Sequence, residues 1–214
     1  MRAGSPPTQR PSARLDGDLP DPYRRRPEAR LTEAKSESLP PFPFRHAFIP
    51  AVHEVAPRLF DVHEVELAAP YAVVTALAAN VLLGLGECGY ALRAGRVFVR
   101  LPGIDAGEID PVVPDERGLA VHAWAERKHP SGRVEVADLS TRHFNSWAAR
   151  AGLRFEPRIP RAVWGWEDEL PRAFRYEPDE QATAGLEAAF AARHGTVAEA
   201  AAREIVGRLN GGGA

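Results

Sequence analysis

The sequence predicts an α+β fold in which a central buried helix packs on a small antiparallel sheet, with extra helices at both ends. Three observations carry this expectation. Residues 67–86, LAAPYAVVTALAANVLLGLG, run uncharged for 20 residues and are apolar on every side, as in a helix at the centre of a core. Two strand-like runs, GLAVHAWAERK and RVEVADL, flank the turn signal HPSG, which predicts a β-hairpin. Residues 179–209 are alanine-rich and amphipathic at helical spacing.

A length of 214 residues with 44% hydrophobic and 26% charged residues suits one globular core, and excludes a wholly disordered, collagenous or coiled-coil chain. Lys plus Arg number 27 against 29 for Asp plus Glu, so no global field gathers nucleic acid or an anionic membrane. Cys88 is the lone cysteine, which rules out an intramolecular disulfide and a Cys-rich metal site and fits a reducing, cytoplasmic setting. The first 20 residues contain no apolar core of a secretory signal. The uncharged run 67–86 is long enough to span a bilayer, but its alanines, glycines, Pro70, Thr75 and Asn80 make it only weakly apolar, and a buried soluble helix is the reading preferred.

In chain order, residues 1–44 hold nine of the 20 prolines and the run Arg24-Arg25-Arg26, and read as a disordered arm. AFIPAVHEVAPRLF, from Ala47 to Phe60, has helical spacing, and Pro50 and Pro57 predict a broken first helix. The central helix begins near Pro70 and ends in the cluster Gly84, Gly86 and Gly89. YALRAGRVFVRL then reads as a strand and GIDAGEIDPVVPDERG as an acidic loop. After the hairpin, Asn145 or Ser146 caps a short helix NSWAARAG, and PRIPRAVWGWEDELP reads as irregular. The C-terminal region, 177–210, is expected to split at Gly195-Thr196 into a helical pair that packs on the domain 45–176, before a flexible tail 211–214.

The hairpin carries the chemistry. Alternation puts His122, Trp124 and Glu126 on one face of its first strand and Val134, Val136 and Asp138 on one face of its second. A five-residue loop from Lys128 to Gly132 would pair Arg127 with Arg133 and set His122 directly across from Asp138. A carboxylate beside an imidazole fixes its tautomer and stabilises the imidazolium that forms when the ring takes a nucleophile's proton. The bland alternative is a cross-strand ion pair that supports the sheet.

His122-Ala123-Trp124-Ala125-Glu126, followed after a turn by Val136-Ala137-Asp138-Leu139-Ser140, resembles the His-x-Trp-x-Glu … Asp-Leu-Ser/Thr hairpin of the papain-like and transglutaminase-like cysteine hydrolase superfamily. The likeness covers about residues 47–150. It implies that the helix around 70–86 carries a nucleophilic cysteine at its N-terminus, where dipole and free amides lower a thiol's pKa. It further implies His122 as general base and acid, Asp138 as its orienting carboxylate, and Trp124 and Tyr71 as residues lining a substrate cleft. Relatives read Cys-x-x-x-Ala-Leu-Ala at the helix start, and Ala76-Leu77-Ala78 on that pattern puts Ala72 where the cysteine belongs.

Cys88 falls in the turn leaving the helix, about 20 Å from that end at 1.5 Å per residue, and reads as a packed thiol. Thr75 is the nearby hydroxyl, and reads as a packing residue. His53-Glu54 and His63-Glu64 lack the i, i+4 histidine pair of a His-Glu-x-x-His metal site, so no metal and no other cofactor is expected. Trp164 and Trp166 read as covering the core edge. The glycines after the helix are in the wrong context for a phosphate loop. Two functions follow from the resemblance. One is a degenerate, non-catalytic domain that binds a peptide or amide-containing small molecule without turnover. The other is a thiol-dependent amide hydrolase or acyl transferase whose nucleophile at position 72 has been replaced. Neither involves nucleic acid or a membrane, and the oligomeric state stays open.

Overall fold

α2, Ala68–Leu83, is the element against which both the sheet and the other helices pack. Pro70 sits in its first turn, and Gly84 ends it at φ 61°, a left-handed conformation that only glycine adopts at no cost. In the computed structural model the described residues are 45–61, 67–86, 89–100, 108–109, 121–150, 152, 159–170 and 173–211, all in the compact unit Phe42–Ala214. The expected arm, residues 212–214 of the expected tail, His63, Glu64 and Cys88 lie outside them, while Gly211 of that tail is the last residue of the C-terminal helix. No helix of the described residues is long and apolar enough to cross a membrane.

The remaining elements are α1 (Arg45–Leu59), β1 (Ala91–Arg100), β2 (Glu108–Ile109), β3 (His122–Lys128), β4 (Val134–Asp138), α3 (Arg142–Arg150), β5 (Val163–Trp166), β6 (Phe174–Pro178) and α4 (Glu180–Gly211). The architecture is α+β, as expected. Every strand pairing is antiparallel. β6, β1, β3, β4 and β5 follow one another across the sheet, and β2 pairs with the far end of β1 on the β3 side.

Several elements differ from expectation. α1 is one helix despite Pro50 and Pro57, because each proline deletes only one intrahelical bond while Phe48, Val52 and Val55 are fully buried. The C-terminal pair is instead a single helix, α4, of 32 residues running through Gly195. Glycine inside a helix costs about 1 kcal/mol, and the burial of Phe190, Ala198, Ala201 and Ile205 on either side of it offsets that cost. Asp179 caps α4, accepting from the Ala182 amide at 2.9 Å. Glu108 and Ile109 in the expected acidic loop pair with Arg100 and Val99. The run read as irregular contains β5, and Phe174–Pro178 forms β6 along the edge of β1, where tertiary pairing decides the conformation. α3 begins at Arg142, three residues before the expected cap. Asn145 lies inside it and clamps Ile159 through both amide and carbonyl, at 3.1 and 2.9 Å.

The hairpin forms, with its register shifted by two residues. Lys128 pairs with Val134 and Arg127 with Glu135, so the loop is His129–Arg133 and Gly132 takes a φ of 85°. A shift of two leaves every side chain on its expected face.

β1 explains how one sheet serves two cores. Leu92 and Ala94 are buried on the face shared with Ala123, Ala125 and Ala137, against the helices. Beyond Gly95 the buried residues are Val97 and Val99, on the opposite face with Trp124, Val136, Phe174 and Tyr176. The sheet therefore curls, and its second core lies inside the curl. Gly95 is the crossing point, paired with His122 on one edge and Pro178 on the other. A Cβ there would stand 2.1 Å from the Glu177 carbonyl oxygen. Asn80 pins the start of β1 to α2 by bonding the Tyr90 amide and carbonyl at 2.7 and 2.9 Å. Gly95→Ala is therefore expected to destabilise the fold by about 2–3 kcal/mol in urea unfolding, whereas Gly165→Ala, where a Cβ meets only Leu170 at 3.5 Å, leaves the midpoint nearly unchanged.

Candidate functional site

His122 and Asp138 meet inside the curl. In the observed register Trp124, not His122, stands opposite Asp138, since Ala125 pairs with Ala137. The imidazole reaches diagonally instead, and its Nε2 lies 2.7 Å from Asp138 Oδ2. A carboxylate only accepts, so Nε2 carries the hydrogen and Nδ1 is the acceptor of the neutral ring. That is the tautomer a general base needs, with its free lone pair directed away from the carboxylate.

Asp138 is 1% exposed, and a carboxylate so buried is tolerated only when its lone pairs are satisfied. Four donors do this: His122 Nε2 and the Tyr176 hydroxyl on Oδ2, and the Ser140 amide and hydroxyl on Oδ1. Burial pushes its pKa up, but the His122 imidazole and the bonds from Ser140 outweigh that and hold it below the ordinary carboxylate range. Burial, and then the Asp138 charge, push Tyr176 well above the usual phenol value, so its hydroxyl remains a donor. Ser140 Oγ is 3.3 Å from His122 Nε2, yet it donates to Asp138 at 2.7 Å and addresses the nitrogen that the carboxylate already holds. Ser140 therefore orients the carboxylate and is not a nucleophile.

Trp124 is fully buried rather than lining a cleft. Its ring stacks beside His122, with centroids 6.4 Å apart, and against Tyr176 at 5.1 Å. Its Nε1 donates to Glu126 Oε2 at 3.4 Å, and Arg93 pairs with the other Glu126 oxygen at 3.3 Å. Tyr71 is likewise buried, stacked on His143 at 6.0 Å with His53 edge-on at 5.3 Å, so neither aromatic offers a surface to a ligand in this conformation. The physical reason is the same for both: each ring fills a core, Trp124 inside the curl and Tyr71 between α1, α2 and α3.

Ala72 is 3% exposed and packs with Leu92 and Ala123 on the helix-covered face of the sheet. Ala123 is the neighbour of His122 in β3, but His122 projects from the opposite face, towards Phe144 at 5.1 Å. Thr75 is fully buried, which removes it as a substitute nucleophile. His53 is a packing residue that bonds the Leu139 carbonyl oxygen through Nε2 at 2.6 Å, and burial pushes its pKa down. It thereby ties α1 to the residue between Asp138 and Ser140. Trp164 covers the core edge as expected, edge-on to Phe48 and Tyr90 at 5.5 and 5.9 Å. Trp166 lies beneath Arg133. Among the described residues no group of three His, Cys, Asp or Glu side chains could hold a metal.

The sequence reading found His122 and Asp138 but missed Tyr176. Its only signal was an aromatic in a short alternating run, FRYEP, with nothing to say which strand it would join.

No family model and no curated protein matches the chain. A solved structure described only as a genomics target is similar to it, with 14% identity and a TM-score of 0.49 over 73% of this chain and 78% of that one.

The lowered Asp138 pKa has a definite pH signature. The unfolded carboxylate titrates near 3.9, so the stabilisation from Asp138 is complete above about that pH and is lost as pH falls through the lower folded value. Asp138→Asn should flatten the dependence of stability on pH below about 4, measured by urea titration. Asp138→Ala, which strands His122 and Tyr176, should cost about 3–5 kcal/mol at neutral pH.

Proposed function

We propose that this chain is a degenerate member of the transglutaminase-like and papain-like group, which keeps the His122/Asp138 pair, lacks the thiol and holds a peptide or amide-containing ligand without turnover. The observation that carries the reading is the organisation around Asp138. Asp138, held by Tyr176 and Ser140, fixes the His122 ring with Nδ1 as its acceptor, the arrangement a general base uses. The packing of a uniformly apolar α2 across the sheet is consistent with the central helix of that group. On the resemblance, Ala72 at the start of α2 stands where the sulfur would be; it packs on Ala123, while His122, the neighbour of Ala123 in β3, faces the other side of the sheet. A peptide or amide-containing ligand is what the resemblance to that group points to.

Restoring the sulfur tests this. In a Cys88→Ser background, so that position 72 holds the only thiol, Ala72→Cys is expected to give a thiolate that titrates well below the free-cysteine value of about 8.5. Absorbance of the thiolate and its rate of alkylation against pH would measure it. The shift should vanish when His122→Ala is added. An ordinary thiol, indifferent to His122, would mean that the pair is structural and that α2 and β3 do not form a catalytic cleft.

A further inference from the structure

The hydroxyl of Tyr176 reaches the dyad from a strand that is not its neighbour. β6 is separated from β4 by β1 and β3. In a flat sheet three strand spacings of about 4.8 Å would put the two strands roughly 14 Å apart, farther than side chains standing roughly perpendicular to their strands can bridge. Yet Tyr176 Oη lies 3.0 Å from Asp138 Oδ2. The contact exists only because the sheet curls, and it falls on the same oxygen that accepts from His122. Its counterpart Oδ1 is held by Ser140, two residues further along the chain, just past the end of β4. Ser140 thus restrains one end of the carboxylate locally, while the other end takes its fixed direction from across the sheet.

We propose that Tyr176 is a positioning residue for the His122/Asp138 pair: its hydroxyl locks Asp138 Oδ2 in the orientation that holds His122 Nε2–H, and so makes the tautomer of His122 depend on closure of the sheet between β6 and β4. The inference rests on reading the pair as a functional base rather than on any particular ligand. The groups that face the pair are Ser140 from the turn after β4, Trp124 from β3, Phe144 from α3 and Tyr176 from β6, with Glu126 and Arg93 as the next charges beyond Trp124. Among these, Tyr176 and Ser140 alone donate to the carboxylate besides His122 itself. Phenylalanine would preserve the packing on Trp124 at 5.1 Å and remove only the donor.

Proton NMR of the full chain, with nitrogen-15 histidine, reads this directly through the Nε2–H resonance of His122 and its exchange with solvent. In the native protein the resonance should be observable and slowly exchanging, and Asp138→Ala should abolish it. Tyr176→Phe should accelerate its exchange by about tenfold or more, as expected for release of a charge-assisted bond, while the Ala125 amide in the same strand exchanges as before. Tyr176→Leu, which also lacks the hydroxyl, should show the same acceleration and serves if phenylalanine impairs folding. A folded variant that loses stability with Nε2–H exchange unchanged would overturn the positioning role. Persistence of the resonance in Asp138→Ala, which leaves no acceptor, would overturn the pairing itself. The thiol titration of Ala72→Cys is independent of both, so failure of the proposed cleft and failure of the Tyr176 role give different results.

Discussion

Burying a carboxylate inside a protein is unfavourable unless every lone pair finds a donor, and Asp138 is where this molecule meets that constraint. Its four donors come from β3, β6 and the turn after β4. To bring them together the sheet must curl, β1 must exchange its buried face at Gly95, and β6 must approach β1 so closely that no side chain fits there. Trp124 fills the space that the curl encloses, in contact with both His122 and Tyr176. The polar network and the second apolar core therefore meet at the same residues, Trp124 and Tyr176.

The two faces of the sheet do different work. The helix-covered face is lined by small residues, Ala94, Ala123, Ala125 and Ala137, which lets α2 lie close against the strands. Small side chains are what a helix of alanines and valines needs for close packing. The inner face carries the large and polar groups, because only there does the curl provide enclosed volume. α1 spans the division: Phe48 packs on Trp164, and His53 bonds the Leu139 carbonyl beside Asp138. α4 closes the outside, joined to α1 through the Arg58–Glu204 and Arg208–Glu54 ion pairs and to β1 through Thr183, which accepts from the Ala94 amide. Such exposed pairs contribute little stability individually, so the buried alanines and Ile205 of α4 carry most of its attachment.

Side-chain periodicity and turn chemistry made the central helix, the hairpin and the His122/Asp138 pairing legible in the sequence, because each lies within one helix or one hairpin, where local alternation and the turn fix which side chains share a face. Period-two alternation put His122 and Asp138 on one face whether the loop began at Lys128 or His129, and so the pair survived an error of two in register. The central helix ended in its glycine cluster, at Gly84, because a left-handed residue is needed there. What escaped was decided at a distance. β6 is a strand only because the edge of β1 is available to it, Gly195 stays helical only because α4 packs on both sides of it, and Trp124 is core only because the sheet closes over it. The partnership of Tyr176 with Asp138 links strands that are neither adjacent in the chain nor adjacent in the sheet, so no local pattern in the sequence encodes it, and the three-dimensional curl alone brings it about.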